Sequence, residues 1–204
     1  MLEKVTAFIT RKTPDGIEAL LLLHPYAGYQ FVAGTCEYME TPEVAASREV
    51  AEEAGLVRAP ITAILGSRDT IMPLGKAALI APTTVFSRPD PGSFDWVQMK
   101  PGAWVETLRN QSGYTQIRYI EPDQLPDPNY NTYEIVGWVP DEVLASIQRR
   151  WFFRFEWSEP TPPSWKVNAD NHTFTLEWFP MNELPELISP QDAWLEVLLE
   201  HLGK

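Results

Sequence analysis

Between residues 34 and 56 the chain reads GTCEYMETPEVAASREVAEEAGL, which gathers Glu40, Glu43, Glu49, Glu52 and Glu53 around a single arginine, Arg48. Thr41 can cap a helix whose first residue is Pro42 and whose first turn carries Glu43, and Gly55 supplies a left-handed stop, so the spacing predicts a helix over 42–54. At about 100° per residue, Glu49, Glu52 and Glu53 fall within one arc while Val44, Ser47, Val50, Ala51 and Ala54 gather on the other side. The helix therefore reads as having an exposed acidic face, with small Ala45 and Ala46 beside it, and an apolar face. Carboxylates at i, i+3 and i+4 repel one another and call for a cation. Magnesium suits them, because it takes oxygen ligands and is commonly bound through a few carboxylates together with substrate phosphates. Taken alone, a glutamate-rich helix is more simply a solvated face.

The wider pattern changes that balance. Gly34, Glu40, Arg48, Glu49, Val50, Glu52, Glu53, Gly55 and Leu56 match every position of the Nudix box without a gap. Seven of these positions require one residue type, so chance agreement in a chain of this length is of order one in a million. The chain resembles the Nudix hydrolase family. The resemblance implies an α+β fold, an α/β/α sandwich with a mixed sheet. It implies Glu49, Glu52 and Glu53 as ligands of Mg2+ or Mn2+, with the backbone carbonyl of Ala33 as a further one. Arg48 would hold its neighbouring carboxylates through a fork on Glu40, Gly34 would permit the tight loop, and Glu52 or Glu53 would take a proton from water. Glu156, Glu159 and Asp170 are the more distant candidates for that last task. The chain departs from the family text at Val32-Ala33-Gly34, where many members read Pro-Gly-Gly, and at Met39, which replaces a frequent glycine. Cys36, inside the same loop, reads as a small filler.

Several elements must position this stretch. "KVTAFIT" and "IEALLLL" read as a hairpin about Pro14, Asp15 and Gly16, followed by a short extended "FVAG". "ITAILG" follows the helix as a strand. "RRWFFRFEW" and "HTFTLEWFPM" read as late strands, and "PQDAWLEVLLEHL" as a closing amphipathic helix. From about 67 to 147 the text turns rich in Pro, Asp, Trp and Tyr, with strands expected at "AALIAPTTVF" and "TQIRYI" and a short helix at "PDEVLASIQ". The aromatics argue against disorder. We read 1–204 as a single domain carrying an ordered insertion after the Nudix helix. Trp96, Trp104, Tyr114, Tyr130 and Tyr133 of the insertion could stack on a base, and Arg68, Arg118, Arg149 and Arg150 could meet phosphate.

A formal charge of -12 repels a phosphate backbone, so duplex nucleic acid is not the expected partner. One cysteine excludes an internal disulfide framework, no apolar run is long enough to span a bilayer, and the N-terminus lacks the character of a secretory signal, which fits the cytoplasm. The expected activity is metal-dependent cleavage of the diphosphate in a nucleoside diphosphate derivative by an activated water. The alternative is a Nudix-fold binding or regulatory module whose insertion is the recognition surface. Pairing of two copies through the insertion is open to either.

Overall fold

The computed structural model describes residues 1–122, 131–169 and 172–203. In chain order the elements are β1 (Leu2–Thr13), β2 (Gly16–His24), β3 (Gly28–Gln30), β4 (Val32–Thr35), α1 (Pro42–Ala54), β5 (Ile61–Ile71), β6 (Lys76–Leu79), β7 (Thr83–Phe86), β8 (Asp95–Met99), β9 (Trp104–Gln111), β10 (Tyr114–Pro122), β11 (Asn131–Pro140), β12 (Leu144–Ala145), β13 (Ile147–Glu156), β14 (Ser164–Ala169), β15 (His172–Pro180) and α2 (Gln191–His201). The chain divides into two compact units, one of residues 4–36, 40–68 and 150–204, the other of residues 1–3, 37–39 and 69–149.

The first unit is built on a sheet ordered β14-β15-β2-β1-β13-β5, with β3 on β2 and β4 on β1. β1 and β2 form the expected hairpin, Thr13 opposite Gly16. β1 and β13 run in the same sense, because Arg150 reaches the Val5 carbonyl while Thr10 donates to the Phe155 carbonyl farther along both strands. The sheet is therefore mixed. Strand alternation sends successive side chains to opposite faces. Val5, Ala7, Ile9, Leu20, Leu22, Phe153, Phe155, Phe174 and Leu176 meet Ala45, Ala46, Val50 and Ala54 of α1. Phe8, Ala19, Leu21, Phe31 and Phe152 meet Val197 and Leu198 of α2. A helix on each face of one sheet is the α/β/α sandwich.

The second unit is a sheet ordered β12-β6-β9-β10-β11-β7-β8, closed over Ala77, Leu79, Val85, Met99, Val105, Ile117 and Val139. The single strand expected over "AALIAPTTVF" is interrupted at Pro82 and becomes β6 and β7, as proline's missing donor requires in a paired strand. The expected helix at "PDEVLASIQ" does not form. Only Asp141–Val143 makes a turn of 3-10 helix, after which Leu144 and Ala145 pair with Leu79 and Ala78. Tertiary pairing outweighs weak helical preference over so short a segment. No described helix is long and apolar enough to cross a membrane.

Candidate active site

α1 is capped as its sequence dictates. Thr41 Oγ1 accepts from the Val44 N–H at 3.5 Å, and Gly55 sits at φ 71°. Leu56 folds back, its N–H donating to the Val50 carbonyl at 3.4 Å. Which face is buried differs from the helical-wheel expectation. Ala45, Ala46, Glu49, Val50, Glu53 and Ala54 are buried, whereas Val44 and Ser47 face solvent. Ala45 and Ala46 are small enough to bring the helix close to the sheet, and the buried arc they create overlaps the acidic one. Glu49 and Glu53 keep only 7% and 8% exposure, while the Glu52 side chain keeps 55%.

Burial at this cost demands partners. Arg48 forks onto Glu40, with Nε donating to Oε1 and Nη2 to Oε2, both at 3.0 Å. Its Nη1 donates to Glu49 Oε1 at 2.9 Å and Glu52 Oε2 at 3.1 Å, and its Nη2 also reaches the Thr35 carbonyl at 3.1 Å. The Glu40 hydrogen bonds, followed by Glu49 and Glu52, raise the Arg48 guanidinium above its ordinary range against the opposing effect of burial. Glu53 Oε2 accepts the Ala33 N–H at 3.2 Å. A Cβ on Gly34 would lie 1.8 Å from Glu49 Oε1, so glycine there makes the room in which the Glu49 carboxylate lies. Met39 holds φ 67°, the left-handed conformation in which glycine is unstrained, which gives a physical reason for the family's frequent glycine. Cys36 is buried in the α1 core.

Glu52 and Glu53 line a cleft of about 300 Å³ with Asn168 and Ala169. Asn168 had no sequence signal, since it lies in a turn-rich text that gave no hint of β14. Its Oδ1 accepts from the Thr173 hydroxyl at 2.7 Å, leaving the amide nitrogen as the donor it can offer. Among the described residues no three His, Cys, Asp or Glu side chains stand together so as to hold a metal ion. The donor chemistry nevertheless suits a hard cation. Glu49, Glu52 and Glu53 are oxygen donors on one arc, and the link that keeps Glu52 on Arg48 is largely exposed and therefore weak.

The other candidates are engaged elsewhere. Glu156 pairs with Lys12 at 2.8 Å and Arg154 at 3.3 Å, and Lys12 first, then Arg154, holds its carboxyl below the usual range. Arg118 forks onto Glu134, and Arg149 onto Asp69. Arg150 donates to the Val5 carbonyl and Thr6 Oγ1 and lies 4.0 Å from the Trp194 ring, while Arg68 reaches the Ala193 carbonyl. Glu159 is exposed, and Asp170 and Tyr130 lie outside the described residues. Within the second unit, Trp96 and Tyr133 line a hollow of about 490 Å³ with Val97, Glu134, Ile135 and Val136, whereas Trp104 and Tyr114 do not.

A model of the NUDIX domain matches residues 3–134, and the chain belongs to this family of hydrolases acting on phosphoric anhydrides. No curated protein matches its sequence significantly. Among solved structures, it is similar to a binary complex of an Ap4A hydrolase from Caenorhabditis elegans, with a TM-score of 0.47, 14% identity, and 100% of this chain and 98% of that chain covered. A NUDIX-family hydrolase from Clostridium perfringens gives a TM-score of 0.39 at 16% identity, with 98% and 97% covered.

Proposed function

We propose that this protein is a divalent-cation-dependent pyrophosphohydrolase that cleaves the diphosphate linkage of a nucleoside diphosphate derivative. The observation that supports it most is the pair of adjacent carboxylates, Glu52 and Glu53, lining a polar cleft. Glu49, Glu52, Glu53 and the Ala33 carbonyl would hold Mg2+ or Mn2+, which when bound supplies charge neutralisation at the diphosphate and a more acidic water. Arg48 keeps Glu40 and Glu49 in place and reaches only one carboxylate of the cleft, Glu52, through a pair that is largely exposed. Glu52 or Glu53 accepts the proton of the attacking water at a carboxylate oxygen, and the Asn168 amide nitrogen is placed to donate to a phosphate oxygen. Glu52→Gln and Glu53→Gln test the roles: each should lower turnover by roughly 10²–10⁴-fold with the far-ultraviolet circular dichroism unchanged. Full activity in both would refute the assignment.

A second reading is a binding module that uses the second unit. The hollow lined by Trp96, Val97, Tyr133 and Val136 favours it, because these large apolar side chains are among those the unit leaves exposed. Ligand capture by the wild type that is lost in Trp96→Ala, with no metal-dependent turnover in either protein, would support that reading over catalysis.

A further inference from the structure

His24 at the end of β2 and His172 at the start of β15 meet ring to ring, centroids 4.6 Å apart and inclined at 60°. Phe174 lies 5.5 Å from His24 and 6.2 Å from His172, and Tyr26 stands 6.0 Å and 6.1 Å from the same two rings. The group is layered. Phe174 is buried in the α1 core, the imidazoles are half-buried, and Tyr26 is 77% exposed.

Strand alternation fixes which way these rings face. Leu20 and Leu22 point to α1, and so does His24 two residues on; Leu176 and Phe174 point to α1, and so does His172. His172 is paired across the hairpin with Ala169. Directly paired residues lie about 5 Å apart. Ala169 itself lines the cleft with Glu52 and Glu53. The aromatic cluster therefore adjoins the carboxylates on the same face of the sheet.

The His24 ring is also held in place. His24 Nδ1 accepts the N–H groups of Tyr26 at 3.1 Å and Ala27 at 3.2 Å, so the neutral ring carries its proton on Nε2. Burial, and then the neighbouring His172, lowers the proton affinity of His24, which favours that neutral ring. A chain with a formal charge of -12 draws a polyphosphate weakly, so an uncharged anchor beside the carboxylates is the economical way to hold one.

We propose that Tyr26, His24 and His172 form the platform on which the aromatic base of the substrate stacks while its diphosphate lies over Glu52 and Glu53. The inference rests on the pyrophosphohydrolase reading and assigns that site its specificity. Every base offers a π-face, so the platform selects for an aromatic group without choosing among bases.

The test compares the affinity of two probes, adenosine diphosphate and methyl diphosphate, by calorimetry with Mg2+ present. The wild type should bind the nucleotide about ten-fold or more tightly than the base-free probe. Tyr26→Ala and His172→Ala should each cut that preference by roughly five-fold or more, and Tyr26→Phe and His172→Phe should keep most of it. Tyr26 is exposed enough that its removal opens no cavity, so a fold defect does not confuse the result. A preference that survives both alanine variants, a wild type that does not discriminate, or no binding of either probe overturns the platform. Base-dependent binding without turnover of any diphosphate would leave the platform standing and sink the hydrolase reading. Turnover without base preference would do the reverse.

Discussion

Replacing Arg48 by methionine keeps much of the side chain's length and removes all of its charge. In the native protein Arg48 satisfies Glu40 twice, Glu49 once, Glu52 once and the Thr35 carbonyl. The three ion pairs are not equal. Glu52 keeps 55% of its side-chain exposure and returns to water, so its share is less than about 1 kcal/mol. Glu40 and Glu49 keep only 10% and 9% and lose the Arg48 charge at sites where water cannot readily replace it. Removing one partner of a buried pair costs about 3–5 kcal/mol, and the 22% exposure of Arg48 places the expected loss near the lower end, about 3 kcal/mol. Arg48→Lys keeps the charge without the fork and should lose about 1–2 kcal/mol. Urea unfolding at neutral pH measures both, with the slope of the transition unchanged. A loss below about 1 kcal/mol in Arg48→Met would show that water already solvates Glu40 and Glu49, and the account of a desolvated cluster would fail.

Glu53→Gln should lower the unfolding midpoint more than Glu52→Gln, since Glu53 is buried and accepts the Ala33 N–H while Glu52 is exposed; equal midpoints would contradict this. Met39→Gly should raise stability by about 0.5–1 kcal/mol in thermal unfolding, the relief of a left-handed non-glycine residue less the entropy of a glycine, and a lower midpoint would refute it. Lys4, pushed down to about 8 by burial and then by Arg150, should be a destabilising cation at neutral pH. An unfolded lysine holds its proton to about 10.4, so wild-type stability should rise between pH 8 and 10.4 relative to Lys4→Met. The variant should be more stable at pH 7 by on the order of 2–3 kcal/mol, and a difference that does not change with pH would count against it.

What the sequence disclosed was local. Thr41, Pro42 and Gly55 mark the ends of α1 because caps and left-handed stops are decided by a few neighbouring residues. The Glu40 fork was legible because the box ties both residues to one short segment. The buried side of α1 was not, because the depth at which Glu49 and Glu53 settle depends on how closely Ala45 and Ala46 let the helix approach a sheet made of distant strands. Asn168 and His172 were missed for the same reason: β14 and β15 bring them beside α1 only through pairing with β2. In the second unit, Leu144 and Ala145 carry a helix-like text, and only the pairing with β6 reveals their role as strand.

The most direct test of the central claim is release of phosphate or nucleotide from a panel of nucleoside diphosphate derivatives, with Mg2+ or Mn2+ and with a chelator control. Cleavage at the diphosphate that needs the metal and stops with the chelator is the predicted result. Silence across the panel from folded protein that binds the metal, or cleavage unaffected by the chelator, would contradict it.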